Sequence, residues 1–332
     1  MQMLNLTEQI LQEAEYRPAS RADLQGKAPA PPCQDKVATA GRILEAAASH
    51  GRAVIAYSGG ADSTALLHMA AETGLKPILI WCDTRMEYPE TRAHVEAQAK
   101  AYGLPLAIAR ARREPQDQWR QTGWPMLGKM AARIWTVKHR NAGFALNVSE
   151  CCREMKIKPA RRLTRNLGCT VQITGQRGKT DDRIRGMRNA LDGPVTWKAR
   201  DRMWIANPLV GWTDDDIAGY TAQHNLAKHP AKARGAGTIG CVFCGGGSQF
   251  ENSGYRVLRR TWPEAWRKFI VEWGGGHVIL VLKYDVRLEQ AQAAVRELGG
   301  LEHLAEERPW IFDFTRMTPL RGYTKGTCRG RN

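Results

Sequence analysis

The run Ser58-Gly59-Gly60-Ala61-Asp62-Ser63 places two glycines, two hydroxyls and one carboxylate within six residues. It follows an apolar run, Ala53-Val54-Ile55-Ala56-Tyr57, and precedes a helix-like run from Thr64 to Ala70. A strand, a glycine-rich turn and a helix in that order set backbone N–H groups and a helix N-terminus beside one small anionic site. Glycine lets the backbone approach a phosphate closely, and serine hydroxyls can donate to its oxygens. The run lacks the Gly-Lys-Ser/Thr ending of a Walker loop. A second set of residues able to do chemistry is Cys151-Cys152 with Cys241-Val242-Phe243-Cys244, the two pairs separated by 88 residues. Four thiolates can hold zinc or a 4Fe–4S cluster. Adjacent cysteines fit the separated knuckles of a structural zinc poorly and suit the iron corners of a cubane better, so the cluster is the expected metal group.

These residues need elements to position them. The apolar pattern predicts strand Val54–Tyr57, helix Asp62–Thr73, strand Pro77–Cys82, helix Tyr88–Tyr102, strand Leu106–Ala109 and a further strand Thr170–Thr174. Strands alternating with helices imply an α/β fold, a parallel sheet covered by helices on both faces. Ligands of such sheets bind beyond the carboxyl ends of the strands. Ser58, Asp83 and Gly175 each follow a predicted strand, so three segments should converge on one pocket. The expected organisation is a helical N-terminal extension over residues 1–50, a main domain over 51–247 and a small α+β C-terminal extension over 248–332. In that extension, helices are expected at Pro263–Trp273 and Leu288–Leu298 and a strand at His277–Lys283. Near the N-terminus an amphipathic run from Leu4 to Ala14 leads into the proline-rich stretch Ala28–Pro32, and a helix follows over Lys36–Ser49. Thr213 is a good N-cap, with Asp214, Asp215 and Asp216 in the first turn behind it.

The 332 residues carry a formal charge of +16. Between Arg110 and Arg202 there are 22 Lys and Arg against 8 Asp and Glu, a net of +14; the remainder carries 27 against 25. A field of that sign attracts polyanions. Trp119, Trp124 and Trp135 are interleaved with this stretch and read as core anchors of helices rather than base-stacking platforms. No apolar run is long enough to span a membrane and no secretory signal is evident at the N-terminus, so a cytoplasmic protein with no membrane partner is expected.

The loop at Ser58–Ser63 resembles the PP-loop of ATP pyrophosphatases, which split ATP between the α and β phosphates. With the four cysteines, the chain resembles the PAPS and APS reductase-like superfamily, whose fold is adenine nucleotide alpha hydrolase-like, from about Val54 to Cys244. Asp83-Thr84 with Tyr88-Pro89-Glu90-Thr91 looks like the family's Asp-Thr-Gly and Pro-Glu-Thr signature. Cys151-Cys152-x-x-x-Lys156-x-x-Pro159 is similar to the cluster segment of APS-type enzymes, with Met155 where an arginine is usual. Thr174-Gly175-Gln176-Arg177 resembles the substrate loop. By this resemblance Ser58, Gly59, Gly60 and Ser63 hold the phosphates, and Asp62 orients the loop or a Mg²⁺ ion. Asp83, Thr84 and Gly175 lie near the nucleotide, Arg177 stabilises developing charge, and Lys156 links cluster and substrate.

Two departures bear on function. The reductases carry a degenerate first loop, whereas this one is intact. They also end in a Glu-Cys-Gly-x-His tail, whereas this chain ends around Lys325-Gly326-Thr327-Cys328-Arg329-Gly330. The expected function is therefore an ATP pyrophosphatase of a nucleic-acid sulfuration system, closest in pattern to the iron–sulfur enzymes of DNA phosphorothioation. Its partners would be nucleic acid, DNA before tRNA, and a cysteine desulfurase as sulfur donor. The alternatives are a sulfonucleotide reductase using Cys328 as nucleophile, and a nucleotide-sensing DNA-binding regulator.

Overall fold

Runs of apolar residues form the middle of a six-stranded sheet in the computed structural model, which describes residues 5–12, 34–177, 193–244 and 255–313. The strands are β1 (Ala53–Ala56), β2 (Ile78–Asp83), β3 (Leu106–Arg110), β4 (Val171–Thr174), β5 (Val195–Lys198) and β6 (Met203–Ala206). Their order across the sheet is β3-β2-β1-β4-β6-β5. All neighbours run parallel except the edge pair β5 and β6, which is antiparallel. The chain leaves β1 toward β2 and β3 on one side and returns to β4 on the other. The gap beyond the carboxyl ends of β1 and β4 is therefore the topological switch point, where open α/β sheets bind ligands.

Helices cover both faces, as the alternation predicts. Helices α1 (Leu6–Gln12), α2 (Gln34–Ala48), α3 (Ala61–Glu72) and α4 (Thr91–Ala101) come first. They are followed by α5 (Pro115–Thr122), α6 (Lys129–Lys138), α7 (Val148–Cys152), α8 (Lys158–Asn166) and α9 (Asp214–Gln223), then a short turn, α10 (Pro230–Ala233). Ile55, Leu79, Val95, Ile173 and Ile217 share one buried cluster on the α2, α3 and α9 side. Val54, Ile80 and Ala109 meet Ala160 of α8 on the other. Thr213 caps α9 as expected: its hydroxyl accepts the Asp216 N–H at 3.2 Å, and its own N–H donates to the Asp216 carboxylate at 2.7 Å.

Strands β5 and β6 were not anticipated. Each has four residues, and the alternating Val195-Thr196-Trp197-Lys198 is embedded in the basic stretch, which hides its period of two. The Leu4–Ala14 expectation is met only by α1, and the proline-rich stretch lies outside the described residues.

The C-terminal part corrects the α+β expectation, being helical throughout its described residues: α11 (Tyr255–Thr261), α12 (Pro263–Arg267), a π turn at Lys268–Glu272, α13 (Gly275–Tyr284), α14 (Leu288–Glu297) and α15 (Gly300–Glu307). The expected strand at His277–Lys283 is α13. All five residues Val278–Leu282 are buried, so the helix is enclosed on every side, and a short apolar run cannot be told from a buried strand by periodicity. Close packing is possible because a methyl group at Gly275 would meet Phe269 at 2.6 Å. These helices share one apolar cluster with Trp119, Trp124, Trp135, Cys151, Met155 and Phe243. The three tryptophans are core anchors, as the sequence suggests, with Trp119 and Trp135 only 1% exposed.

Candidate active site: a phosphate loop beside four cysteines

The glycine-rich run leaves β1 and enters α3. Gly59 sits at φ +76°, a left-handed conformation that favours glycine, and Gly60 is the N-cap of α3 with no side chain bonded to the cap. The first N–H groups of α3 therefore face the switch point without a protein cap. Ser58 Oγ lies 3.1 Å from Ser63 Oγ, the Ser63 hydroxyl donates to the Gly60 carbonyl at 3.0 Å, and Ser63 Oγ accepts from the Ser58 N–H at 3.3 Å. Hydroxyls and backbone amides form one concave cradle of the kind that takes a phosphate.

The loop after β4 closes the cradle. A methyl group at Gly175 would stand 3.2 Å from the Asp62 carbonyl carbon and 3.3 Å from the Ser63 nitrogen, so glycine is what lets this loop rest on the start of α3. Arg177, two residues on, donates from Nε to Asp62 at 3.3 Å and from a terminal nitrogen to Asp214 at 2.5 Å. Its Nη1 is buried with no hydrogen-bond partner among the described residues. Burial raises the Asp62 carboxyl above the usual range, and the Arg177 charge opposes that rise. Lys232 adds further positive charge near Asp62. Gly175→Val is expected to push α3 away from the loop. Its nucleotide affinity should fall at least tenfold while far-ultraviolet circular dichroism stays unchanged; unchanged affinity by calorimetry would remove Gly175 from the site.

Asp83 and Thr84, beyond β2, are engaged within the protein. Asp83 is paired with Arg110 at the end of β3, Nε to Oδ2 at 3.0 Å, and accepts the Arg85 N–H at 3.0 Å. Thr84 is fully buried. Its hydroxyl donates to Glu87 at 2.6 Å and lies 3.4 Å from Cys241 Sγ. The pair thus ties the strand end to the cysteines rather than pointing both side chains into the cleft.

Cys151, Cys152, Cys241 and Cys244 line one small cavity together with Met86, Met155 and Lys156. None of the four is in a disulfide. Trp119 donates its indole N–H to Cys151 Sγ at 3.3 Å, and burial pushes the Cys151 thiol up to about 12. The π turn Arg153–Ile157 directly follows Cys152. Pro159 explains it: proline has no N–H to offer the Met155 carbonyl and its ring clashes there, so the helix widens by one residue. That bulge brings Lys156 to the cavity, where the negative charge of Cys241, then Glu87 and Cys152, holds its ammonium well above the ordinary lysine range. Among the described residues, no group of three His, Cys, Asp or Glu side chains is drawn together as for a single metal ion. In chemistry, four thiols on one cavity, none in a disulfide, beside the half-buried Lys156 ammonium are the kind of donor set a cluster takes.

The two centres adjoin. A methyl group at Gly60 would lie 3.7 Å from Ile239 Cβ, and one at Gly240 would lie 4.0 Å from Lys156 Nζ. Residues 239–241 therefore run from the phosphate loop to the cysteines. Sequence reading missed His94, His229, Lys232 and Glu87. They stand singly in the chain, and only the packing of α4 and α10 beside the loop brings the first three together. Cys328 lies outside the described residues.

Residues 52–246 match the phosphoadenosine phosphosulfate reductase domain. A phosphoadenosine 5'-phosphosulfate reductase of Alkalilimnicola ehrlichii is 26% identical over 192 residues, covering 58% of this chain and 69% of that one. An adenosine 5'-phosphosulfate reductase of Rhodococcus opacus is 23% identical over 179 residues, covering 54% of this chain and 63% of that one. Among solved structures, the PAPS reductase of Candida auris in its phosphate complex is 19% identical with a TM-score of 0.43, covering 63% of this chain and 96% of that one.

Proposed function

The chain belongs to the phosphoadenosine phosphosulfate reductase domain family; within it we propose, from the chain's own site rather than from the names of its relatives, an ATP pyrophosphatase that adenylates a nucleic-acid oxygen for sulfur insertion. The observation that carries this reading is the intact cradle of Ser58, Gly59, Gly60 and Ser63 abutting a four-cysteine cavity through residues 239–241. A cradle with two hydroxyls and open helix amides suits the β and γ phosphates, and the neighbouring thiols suit sulfur chemistry.

In this account the loop amides and serine hydroxyls hold the leaving pyrophosphate. Arg177, anchored by Asp62 and Asp214, presents its unpartnered Nη1 to charge developing at the α phosphorus. Asp62 would hold a Mg²⁺ ion, which when bound neutralises the leaving group. Cys151, Cys152, Cys241 and Cys244 would hold a 4Fe–4S cluster, which when bound supplies a sulfur-handling centre beside the nucleotide. Lys156 keeps a fixed positive charge between that centre and the phosphates. An acceptor oxygen attacks the α phosphorus and pyrophosphate leaves; the outer sulfur of a persulfide on a donor such as a cysteine desulfurase then displaces AMP, and a thiol reductant cleaves the resulting disulfide to leave the sulfur on the acceptor. The acceptor is proposed to be nucleic acid, DNA before tRNA, held by the basic stretch between Arg110 and Arg202.

A second reading is favoured by the names of the curated relatives, which are sulfonucleotide reductases. It would reduce a phosphosulfate to sulfite at the same cavity. Against it, the first loop is not degenerate. Calorimetry with α,β-methylene-ATP and with APS on anaerobically purified protein separates the two. Binding of the ATP analogue at least tenfold tighter than APS supports the first reading, and the reverse order supports the second.

The polyanion part has its own check. Affinity for single- or double-stranded DNA should fall roughly a hundredfold or more between 50 mM and 200 mM salt if several phosphates are neutralised. Arg161 is held by Asp201 at 2.6 Å and Arg162 donates to the Arg110 carbonyl at 3.3 Å, so these two are oriented rather than free. No binding at low salt, by fluorescence anisotropy, would remove nucleic acid from the account.

A further inference from the structure

Two imidazoles that the proposed chemistry does not use lie against the phosphate loop. A methyl group at Gly59 would sit 3.1 Å from Cδ2 of His94 and 3.2 Å from Cδ2 of His229. The two rings are 4.8 Å apart, and both residues are more than nine-tenths buried, His94 at 8% exposure and His229 at 3%.

Their hydrogen bonds differ. His229 Nδ1 accepts the Ala231 N–H at 3.1 Å, so its proton is on Nε2, which faces Thr91 Oγ1 at 3.1 Å. Both nitrogens of His229 are engaged. The Gly59 backbone beside His94 favours the protonated ring, while its Nε2 is buried with no partner among the described residues. The nitrogen that the Gly59 backbone favours is therefore Nδ1, and it carries the proton. In the neutral ring Nε2 is then a bare lone pair, which a phosphate oxygen cannot pair with. A proton on Nε2 turns the same atom into a donor, on a ring that packs against Gly59 of the loop. A buried polar atom left without a partner in a ligand-free protein points to a ligand that supplies one.

We propose that His94 is a ligand of the distal phosphates of a nucleoside triphosphate bound at Ser58–Ser63, taking up a proton from solvent as the polyanion arrives and donating the new Nε2–H to a phosphate oxygen. The inference rests on the phosphates occupying that loop.

The surroundings support the coupling. The charged and titratable groups about the pair are Glu90 on the approach to α4, His229 and Lys232 at α10, Asp62 on α3 and Tyr88. Glu90 is already bonded by Arg234 and by the Trp262 indole. Burial lowers His94 below the ordinary histidine range, and burial and then His94 bring His229 down to about 4. Both rings are therefore neutral near pH 7.5 in the free protein. An arriving polyanion raises the His94 value, because opposite charge favours the protonated ring. The sign follows: affinity is greatest at low pH and weakens as pH rises through the ligand-bound value of His94.

The test is calorimetry of the full chain with α,β-methylene-ATP at pH 7.5 in two buffers of different ionisation enthalpy, with His94→Asn and His94→Gln beside the wild type. The wild type should take up most of one proton more than either variant, which cancels the ligand's own titration. His94→Asn should bind about tenfold more weakly. His94→Gln, whose amide reaches toward the Nε2 position without titrating, should recover most of the affinity and show no extra uptake. Equal uptake in wild type and His94→Asn, or unchanged affinity in His94→Asn, would overturn the assignment of His94 while leaving the phosphate loop in place. Failure of the wild type to bind the analogue at all would overturn both.

Discussion

Gly59→Ala is expected to lower ATP turnover about a hundredfold or more while leaving the fold intact. Three effects act together. At φ +76° a side chain adds strain of about 1–2 kcal/mol. The new methyl would stand 3.1 Å and 3.2 Å from two buried imidazoles, closer than ordinary carbon contacts allow. The His229 ring is fixed by Thr91 and by the N–H of Ala231, so the loop must move away from it. A shift of about 1 Å in a phosphate-holding loop is enough for a loss of that size. The check is steady-state turnover with circular dichroism alongside. Near wild-type turnover would show that the loop does not hold the reacting nucleotide.

Cys241→Ser is expected to have the second large effect. Cys241 meets three parts of the site: the cavity of four cysteines, the Lys156 charge, and the Thr84 hydroxyl at 3.4 Å. Serine at pH 7 supplies no thiolate, so the variant loses a cluster ligand and the main partner of Lys156. Anaerobically purified wild type should carry about four irons per chain. The variant should carry well under half of that, with turnover falling in parallel. Lys156 would keep Glu87 as a charged neighbour, so the protein should still fold. Stoichiometric zinc and no iron in the wild type would remove the cluster from the account. Full iron in the variant would remove Cys241 from the ligand set.

Much of this site could be read from the sequence because its parts are local. The cradle is a contiguous run between an apolar strand and a helix, and each of Ser58, Gly59, Gly60 and Ser63 contributes through its own backbone or hydroxyl. The cysteine pairs are local too, and their convergence follows once Cys151-Cys152 and Cys241–Cys244 are taken as one set. The strand ends that carry Asp83 and Gly175 were legible for the same reason. His94, His229 and Lys232 were not, because single residues without fixed spacing carry no pattern. Their meeting at Gly59 depends on how α4 and α10 pack beside the loop. Asp83 shows the opposite limit: the motif was visible, but its pairing with Arg110 requires the register of β2 against β3. In the C-terminal part, Val278–Leu282 reads as a strand by composition but is a helix that is apolar all round, because its neighbours enclose it on all sides. Composition records burial there without recording the backbone geometry.

The most direct test of the central claim is product identification after anaerobic incubation of the iron-loaded protein with ATP, Mg²⁺, nucleic acid and a sulfur donor. The account predicts AMP and pyrophosphate in equal amounts, with turnover dependent on Asp62 and Ser58. ADP and phosphate as products, or no ATP turnover together with sulfite release from APS and a thiol donor, would contradict it.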